Sequence, residues 1–195
     1  MRYQHQHAGR SAFGCLIILD KNLKKHSGGT VLENIVVLND SKIISCILNK
    51  AFLTFAQEFN FTKENAPNHL AFINPDGVEA WLNNGLKMYG YKIEDKIFGC
   101  AGYSYFKDQI YLIERVATLP EYRNLGVGKK LMNFIEKKIK EIGGKIAEIH
   151  VTDKNTVLRE WYKKQGYVEI RIDEVKIPGI EIVPFKACVM NKEFN

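Results

Sequence analysis

Apolar and polar residues alternate along short stretches of the chain and then switch to a period of three to four, so that strands and helices follow one another. The run VLENIVVL at 31 to 38 reads as a strand. Ile43, Ile44, Ile47, Leu48, Ala51, Phe52 and Phe55 then recur at helical spacing behind Asp40 or Ser41, either of which suits an N-cap. NAPNHLAFINPDGVEAWLNNG is rich in turn residues around a short helical piece. Three consecutive antiparallel strands are predicted at roughly 87 to 93, 96 to 105 and 109 to 118, broken at EDK and KDQ. Leu131, Met132, Phe134, Ile135, Ile139 and Ile142 mark one face of a helix that Gly143 and Gly144 end. KIAEIHVTD is the next strand, NTVLREWYKKQ a helix ending at Gly166, and YVEIRIDEV with EIVPFKACVMNK a closing hairpin around KIPG. The alternation predicts an α/β (α+β) fold with a central mixed sheet of about six or seven strands flanked by helices.

Residues 1 to 29 break this pattern. MRYQHQHAGR is polar, FGCLIILD could form a strand and KKHSGGT reads as a connector, so the expected organisation is an N-terminal extension over 1 to 29 and one domain over 30 to 195. His5 and His7 read as solvated residues of a polar terminus, and no metal site is expected. The four cysteines, Cys15, Cys46, Cys100 and Cys188, lie far apart without a metal-ligand spacing and read as small buried apolar residues in a reducing compartment. The longest apolar run, FGCLIIL, is too short to span a bilayer, and no small-residue cleavage site follows it, so a cytoplasmic protein without membrane contact is expected. A formal charge of +6 permits anionic partners without selecting one.

The stretch YRNLGVGKK narrows the choice. A short loop with Gly126 and Gly128, placed between a strand and a helix, exposes backbone N–H groups that the first helical turn cannot satisfy. Such an end attracts an anion, and glycine lets a phosphate approach without a Cβ in the way. Arg123, Lys129 and Lys130 add positive charge at the rim. A P-loop is excluded because Arg123 holds its first glycine position and Lys130 follows Lys129 where Ser or Thr is needed. A dinucleotide fingerprint fails where Leu131 replaces its third glycine. A tight turn serving helix packing remains the competing reading.

Arg123, Gly126 and Gly128, followed downstream by Asn155, Tyr162 seven residues later, and then Gly166 and Tyr167, give a series that resembles the GNAT superfamily of N-acetyltransferases. The likeness is specific over 109 to 168 and compatible in layout from about 31 to 192. It implies the GNAT fold and acetyl-CoA as co-substrate, with the loop around Asn124, Leu125, Gly126, Val127, Gly128 and Lys129 holding the pyrophosphate. It further implies that Val116, Ala117 and Thr118 pair their main chain with the pantetheine arm, as one more strand would. Asn155 matches a position that touches the cofactor, and as the residue before a helix it also suits an N-cap.

Acetylating an amine of ordinary pKa about 10.4 requires roughly 4 to 5 kcal/mol to present it neutral at pH 7, so a base helps. Attack on the thioester also needs backbone N–H groups at the developing oxyanion and an acid for the departing thiolate. The resemblance assigns Tyr162 as that acid; the other reading makes it a core aromatic beside Trp161. Two residues compete as base: His150, of a residue type whose ordinary pKa suits the task, and Glu114 on the strand before the loop. The region 41 to 85 and the hairpin 167 to 191 are expected to flank the acceptor cleft, with Tyr89, Tyr91, Tyr103 and Tyr105 as aromatic lining. The acceptor is expected to be a primary amine of a small molecule or peptide, with a homodimer left open and nucleic acid disfavoured because basic and aromatic residues do not interleave. The alternative is a non-catalytic acyl-CoA-binding sensor of the same fold.

Overall fold

The structure is a computed structural model that describes residues 33–175 and 186–194. The extension at 1 to 29, with its expected strand and histidines, and the KIPG turn lie outside the described residues. In chain order the elements are β1 (Glu33–Leu38), α1 (Ser41–Glu58), α2 (Pro75–Asn83), β2 (Lys87–Ile93), β3 (Lys96–Lys107) and β4 (Ile110–Thr118). A 3-10 turn (Pro120–Tyr122), α3 (Val127–Glu141), β5 (Ile146–Thr152), α4 (Thr156–Lys163), β6 (Val168–Glu174) and β7 (Lys186–Glu193) follow.

Local chemistry explains the helix starts. The Asp40 carboxylate accepts from the backbone amides of Lys42 at 2.9 Å and Ile43 at 3.1 Å, which satisfies two donors of the first turn of α1. Asn74 does the same for Gly77 at 2.8 Å, with Pro75 preset for the first turn of α2. On α3 the periodic face is real: Leu131, Met132, Ile135 and Ile139 are fully buried, each stabilising the fold by about 1.5 to 3 kcal/mol. Phe134 sits at the edge of that face and Ile142, past the helix end, is exposed.

Seven strands form one mixed sheet in the order β1-β2-β3-β4-β5-β7-β6. All neighbours are antiparallel except β4 and β5. On one face, α3 and α4 pack over Ile113, Ala147, Ile149 and Val151; on the other, α1 and α2 cover Leu38, Met88, Cys100 and Ala117. Buried charge on the α3 side is paired, as its desolvation requires. The Glu136 carboxylate accepts from Tyr167 Oη at 3.1 Å and Lys192 Nζ at 2.6 Å, tying α3 to β7. At the sheet edge, Arg159 of α4 forks onto Glu169 of β6 at 2.9 and 2.7 Å. These bonds and the Lys163 ammonium hold the Glu169 carboxyl down at about 2.

Two irregularities shape the centre of the sheet. The first is a bulge: β3 and β4 pair Gly102 with Glu114 and Cys100 with Ala117, so Arg115 and Val116 together oppose Ala101. Arg115 takes φ +56°, a left-handed conformation that long side chains rarely adopt. The second is a splay. β4 and β5 are paired only from Ile110 opposite Ile146 to Leu112 opposite Glu148, after which β4 stays beside β3 as far as Thr118 and β5 stays beside β7 as far as Thr152.

Candidate active site

The splay opens a cleft of roughly 1170 Å³ that runs between the facing edges of β4 and β5, from α3 and α4 to the inner side of α1. At one end lies the glycine loop. Asn124 and Gly126 both have positive φ, +65° and +80°, which turns successive amides toward one side as in an anion-binding nest. Gly126 is the N-cap of α3 and no side chain caps this end; the first main-chain bond is donated by Lys130 to Gly126 O at 3.0 Å. The amides of Val127, Gly128 and Lys129 therefore face the cleft end without helical acceptors.

The packing explanation for Gly128 does not hold. A Cβ there would meet Thr118 Oγ1 and the Trp161 ring at 3.6 Å, ordinary contact distance, and its backbone is helical. Alanine would fit and would favour the helix by about 1 kcal/mol, so nothing in the protein itself requires glycine. What a Cβ would fill is space beside the unpaired amides. The loop thus fits a phosphate-bearing group approached closely by main chain.

Each residue expected at the cofactor end lines the cleft except Leu125, which is exposed beside it: Val116, Ala117 and Thr118 on β4, then Arg123, Asn124, Gly126, Val127, Gly128, Lys129 and Asn155. Their duties differ in detail from the expected ones. Arg123 donates to Ala51 O at 2.7 Å and Thr54 Oγ1 at 3.3 Å, so it fastens the loop to α1. Lys130 does not line the cleft: its ammonium turns to Tyr91, donating to Oη at 2.8 Å. Asn155 serves as N-cap, accepting from Leu158 N at 3.0 Å.

Further along, the three expected catalytic residues also line the cleft. Tyr162 is 5% exposed, packed edge-on against Trp161 and Tyr167, and its hydroxyl has no hydrogen-bond partner among the described residues. Burial raises its pKa well above the ordinary phenol value, so it is a neutral O–H donor across the physiological range. Glu114 accepts from Ser104 Oγ at 2.8 Å. His150 Nε2 lies 2.9 Å from Glu148 Oε1. A carboxylate only accepts, so Nε2 carries a hydrogen, and in the neutral ring Nδ1 is the nitrogen that keeps the lone pair.

Glu148 was not among the expected site residues. It is 3% exposed and lines the cleft from the same face of β5 as His150. The Asn191 amide nitrogen, turned toward acceptors, donates to Glu148 Oε2 at 3.1 Å and completes its coordination. The signal was present in the sequence, since a glutamate two residues before a histidine on a strand shares its side. Among the described residues, no group of three or more His, Cys, Asp or Glu side chains could hold a metal ion.

The expected aromatic lining needs correction. Tyr89, Tyr91 and Tyr103 belong to the opposite face of the sheet, where Tyr89 meets Phe134 of α3 at 5.0 Å, and Tyr105 is 64% exposed. Strand parity puts them there: these odd positions point to α3. The aromatic wall comes instead from α1 and the segment after it, with Phe52, Phe55, His69 and Trp81. Phe55 and His69 stack at 5.7 Å and 10°, and burial lowers the His69 pKa, keeping that ring neutral. The region 41 to 85 thus flanks the cleft as expected, whereas no described residue of the closing hairpin lines it.

Comparison with known proteins decides the family. The family model described as the acetyltransferase (GNAT) family matches residues 50–167, more than half of the chain. The chain belongs to the GNAT acetyltransferase family. Within it, the chain is similar to the amino-acid acetyltransferase of Vibrio vulnificus strain CMCP6, with 34% identity over 80 residues, 40% of this chain. That stretch spans only 17% of the relative's length. Among solved structures, an N-acetyltransferase from Staphylococcus aureus Mu50 superposes with a TM-score of 0.64 at 12% identity, covering 83% of this chain and 98% of that one. A proposed streptothricin acetyltransferase from Bacillus anthracis str. Ames, in complex with acetyl coenzyme A, gives 0.53 at 21% identity over 57% of this chain and 64% of that one. These likenesses establish the seven-stranded sheet and its helices as the GNAT fold. No described helix is long and apolar enough to cross a membrane.

Proposed function

We propose that this GNAT protein is an acetyl-CoA-dependent N-acetyltransferase that acts on a primary amine of a small molecule or peptide by direct attack. The observation that carries the reading is the meeting, in one cleft, of an uncapped glycine-lined helix end and a proton-handling set on the diverging strands. Bound acetyl-CoA would supply an activated acetyl thioester. The amides from Asn124 to Lys129 would hold its pyrophosphate, and the free main-chain edge of Val116, Ala117 and Thr118 would take its pantetheine arm.

His150 Nδ1 accepts a proton from the amine, oriented by Glu148 through Nε2. Glu114, already bonded to Ser104, is the second candidate base. Tyr162 Oη delivers a proton to the sulfur as the carbon–sulfur bond breaks and the carbon–nitrogen bond forms. Protons then balance: an amine that arrives as ammonium first releases one proton to water, the neutral nitrogen passes one to the base as the carbon–nitrogen bond forms, and the phenol gives one to the thiolate and regains it from the protonated base through solvent.

The test is release of free CoA thiol from acetyl-CoA by the purified protein across a panel of primary amines. Amine-dependent thiol release is expected. Tight cofactor binding by calorimetry with no turnover on any amine would instead favour the acyl-CoA-binding sensor.

A further inference from the structure

Arg115 stands apart from Arg123, the other described arginine that lines the cleft. The bulge re-phases β4 at this point and directs its side chain across to α2, where the guanidinium lies over the Trp81 ring at 4.2 Å. Its side chain is 28% exposed and it lines the cleft. Yet none of its five N–H donors reaches an acceptor within hydrogen-bond distance among the described residues. Nε is fully buried without a partner among the described residues, and the Glu114 Oε1 carboxylate oxygen is 3.9 Å from NH2. The other Glu114 oxygen is already taken by Ser104.

A guanidinium drawn this far from water without acceptors is an incomplete ion pair. Burial pulls its pKa down, and Glu114 only partly opposes that. Stacking on Trp81 occupies one face and leaves the planar edge, the part that matches a carboxylate fork. The left-handed φ that aims it is strain of the kind that clusters at functional sites. Phe52 and Leu70 pack in the same apolar cluster as Trp81, and His69, whose pKa burial lowers, meets Phe52 edge-on at 6.3 Å.

The geometry points to an acceptor that carries a carboxylate close to its amine, an α-amino acid with an apolar side chain, whose carboxylate Arg115 anchors. This rests on the acetyltransferase reading and names the substrate class of the same site. With the carboxylate on β4's Arg115, the amine faces β5, where His150 takes its proton. Arg115 thereby acts in specificity, and the bulge is the device that turns it into the cleft.

The experiment compares kcat/KM for acid, amide and decarboxylated amine in three series, built on phenylalanine, leucine and glutamate. The expected result is a preference for the acid on the order of 100-fold in the phenylalanine and leucine series, with glutamate the poorest acid. Arg115→Gln is expected to collapse the acid-to-amine ratio to about threefold or less, chiefly through KM of the acid. Arg115→Lys, which keeps the charge but loses the fork, should fall between. If Arg115→Gln does not fold, the wild-type ratios decide alone. Amides or decarboxylated amines used as well as the acids, or glutamate preferred over both apolar acids, would overturn the proposal and leave acetyl transfer standing. No turnover on any amine by protein that binds acetyl-CoA would overturn both.

Discussion

Glu148 Oε1 accepts a hydrogen bond from His150 Nε2 at 2.9 Å, and the two side chains are 4% and 45% exposed respectively. Both line the cleft, the carboxylate buried and the imidazole half-exposed, so Glu148 fixes the orientation of the ring proposed as the base. His150→Ala is expected to lower kcat about 10² to 10⁴-fold, as for loss of a general base. Glu148→Gln should lower kcat by roughly 10 to 100-fold with KM values unchanged, and Glu148→Asp should recover part of the loss. Equal rates for wild type and His150→Ala, with Glu114→Ala inactive, would move the base to Glu114.

Tyr162→Phe removes only a hydroxyl that has no hydrogen-bond partner among the described residues. Fold and cofactor affinity are expected to be unaffected, while kcat falls about 10² to 10³-fold because the departing sulfur loses its proton donor. Unchanged turnover would make Tyr162 a packing residue.

Gly128→Ala separates ligand from fold. The added Cβ meets its nearest protein atoms at 3.6 Å, so thermal stability should hold or rise, with a helix-propensity gain of up to about 1 kcal/mol. Affinity for acetyl-CoA, measured by calorimetry, should weaken by about 10-fold or more because the phosphates can no longer approach the amides. Full affinity in a stabilised variant would remove the glycine from the cofactor site.

Stability should fail on the alkaline side. Burial pushes the Cys100 thiol from 9.0 up to about 12 and the Tyr103 phenol up to about 12. Folded values above unfolded ones mean that this contribution is fully present below about pH 9 and is lost as pH rises toward 12. One such proton changes stability by up to about 1.4 kcal/mol per pH unit, so Tm should fall steadily above pH 9. Cys100→Ala should flatten that fall between pH 9 and 11; an identical slope would rule out the thiol as its source.

Most of the fold was legible because the helices and strands announce themselves locally. Asp40, Asn155 and the periodic face of Leu131 to Ile139 each fix an element through contacts within a few residues. The cleft was legible in part, since the glycine loop and Tyr162 sit at spacings set by one loop and one helix. What escaped depends on pairing between strands. The bulge at Arg115 changes which side chains enter the cleft, and no residue type at 115 signals it. The tyrosines were misplaced for the opposite reason: their alternation was visible, but only packing of α3 decides which sheet face they occupy. Glu148 could have been found from its two-residue spacing to His150.

The end of α3 and the parted strands β4 and β5 are expected to form one berth for coenzyme A. A crystal structure of the protein with coenzyme A tests it most directly. The expected electron density puts the diphosphate on the amides of residues 124 to 129, the pantetheine along Val116 to Thr118 and the sulfur within hydrogen-bond reach of Tyr162 Oη. Density for the molecule bound elsewhere on the protein, with those amides contacting only water, would contradict it.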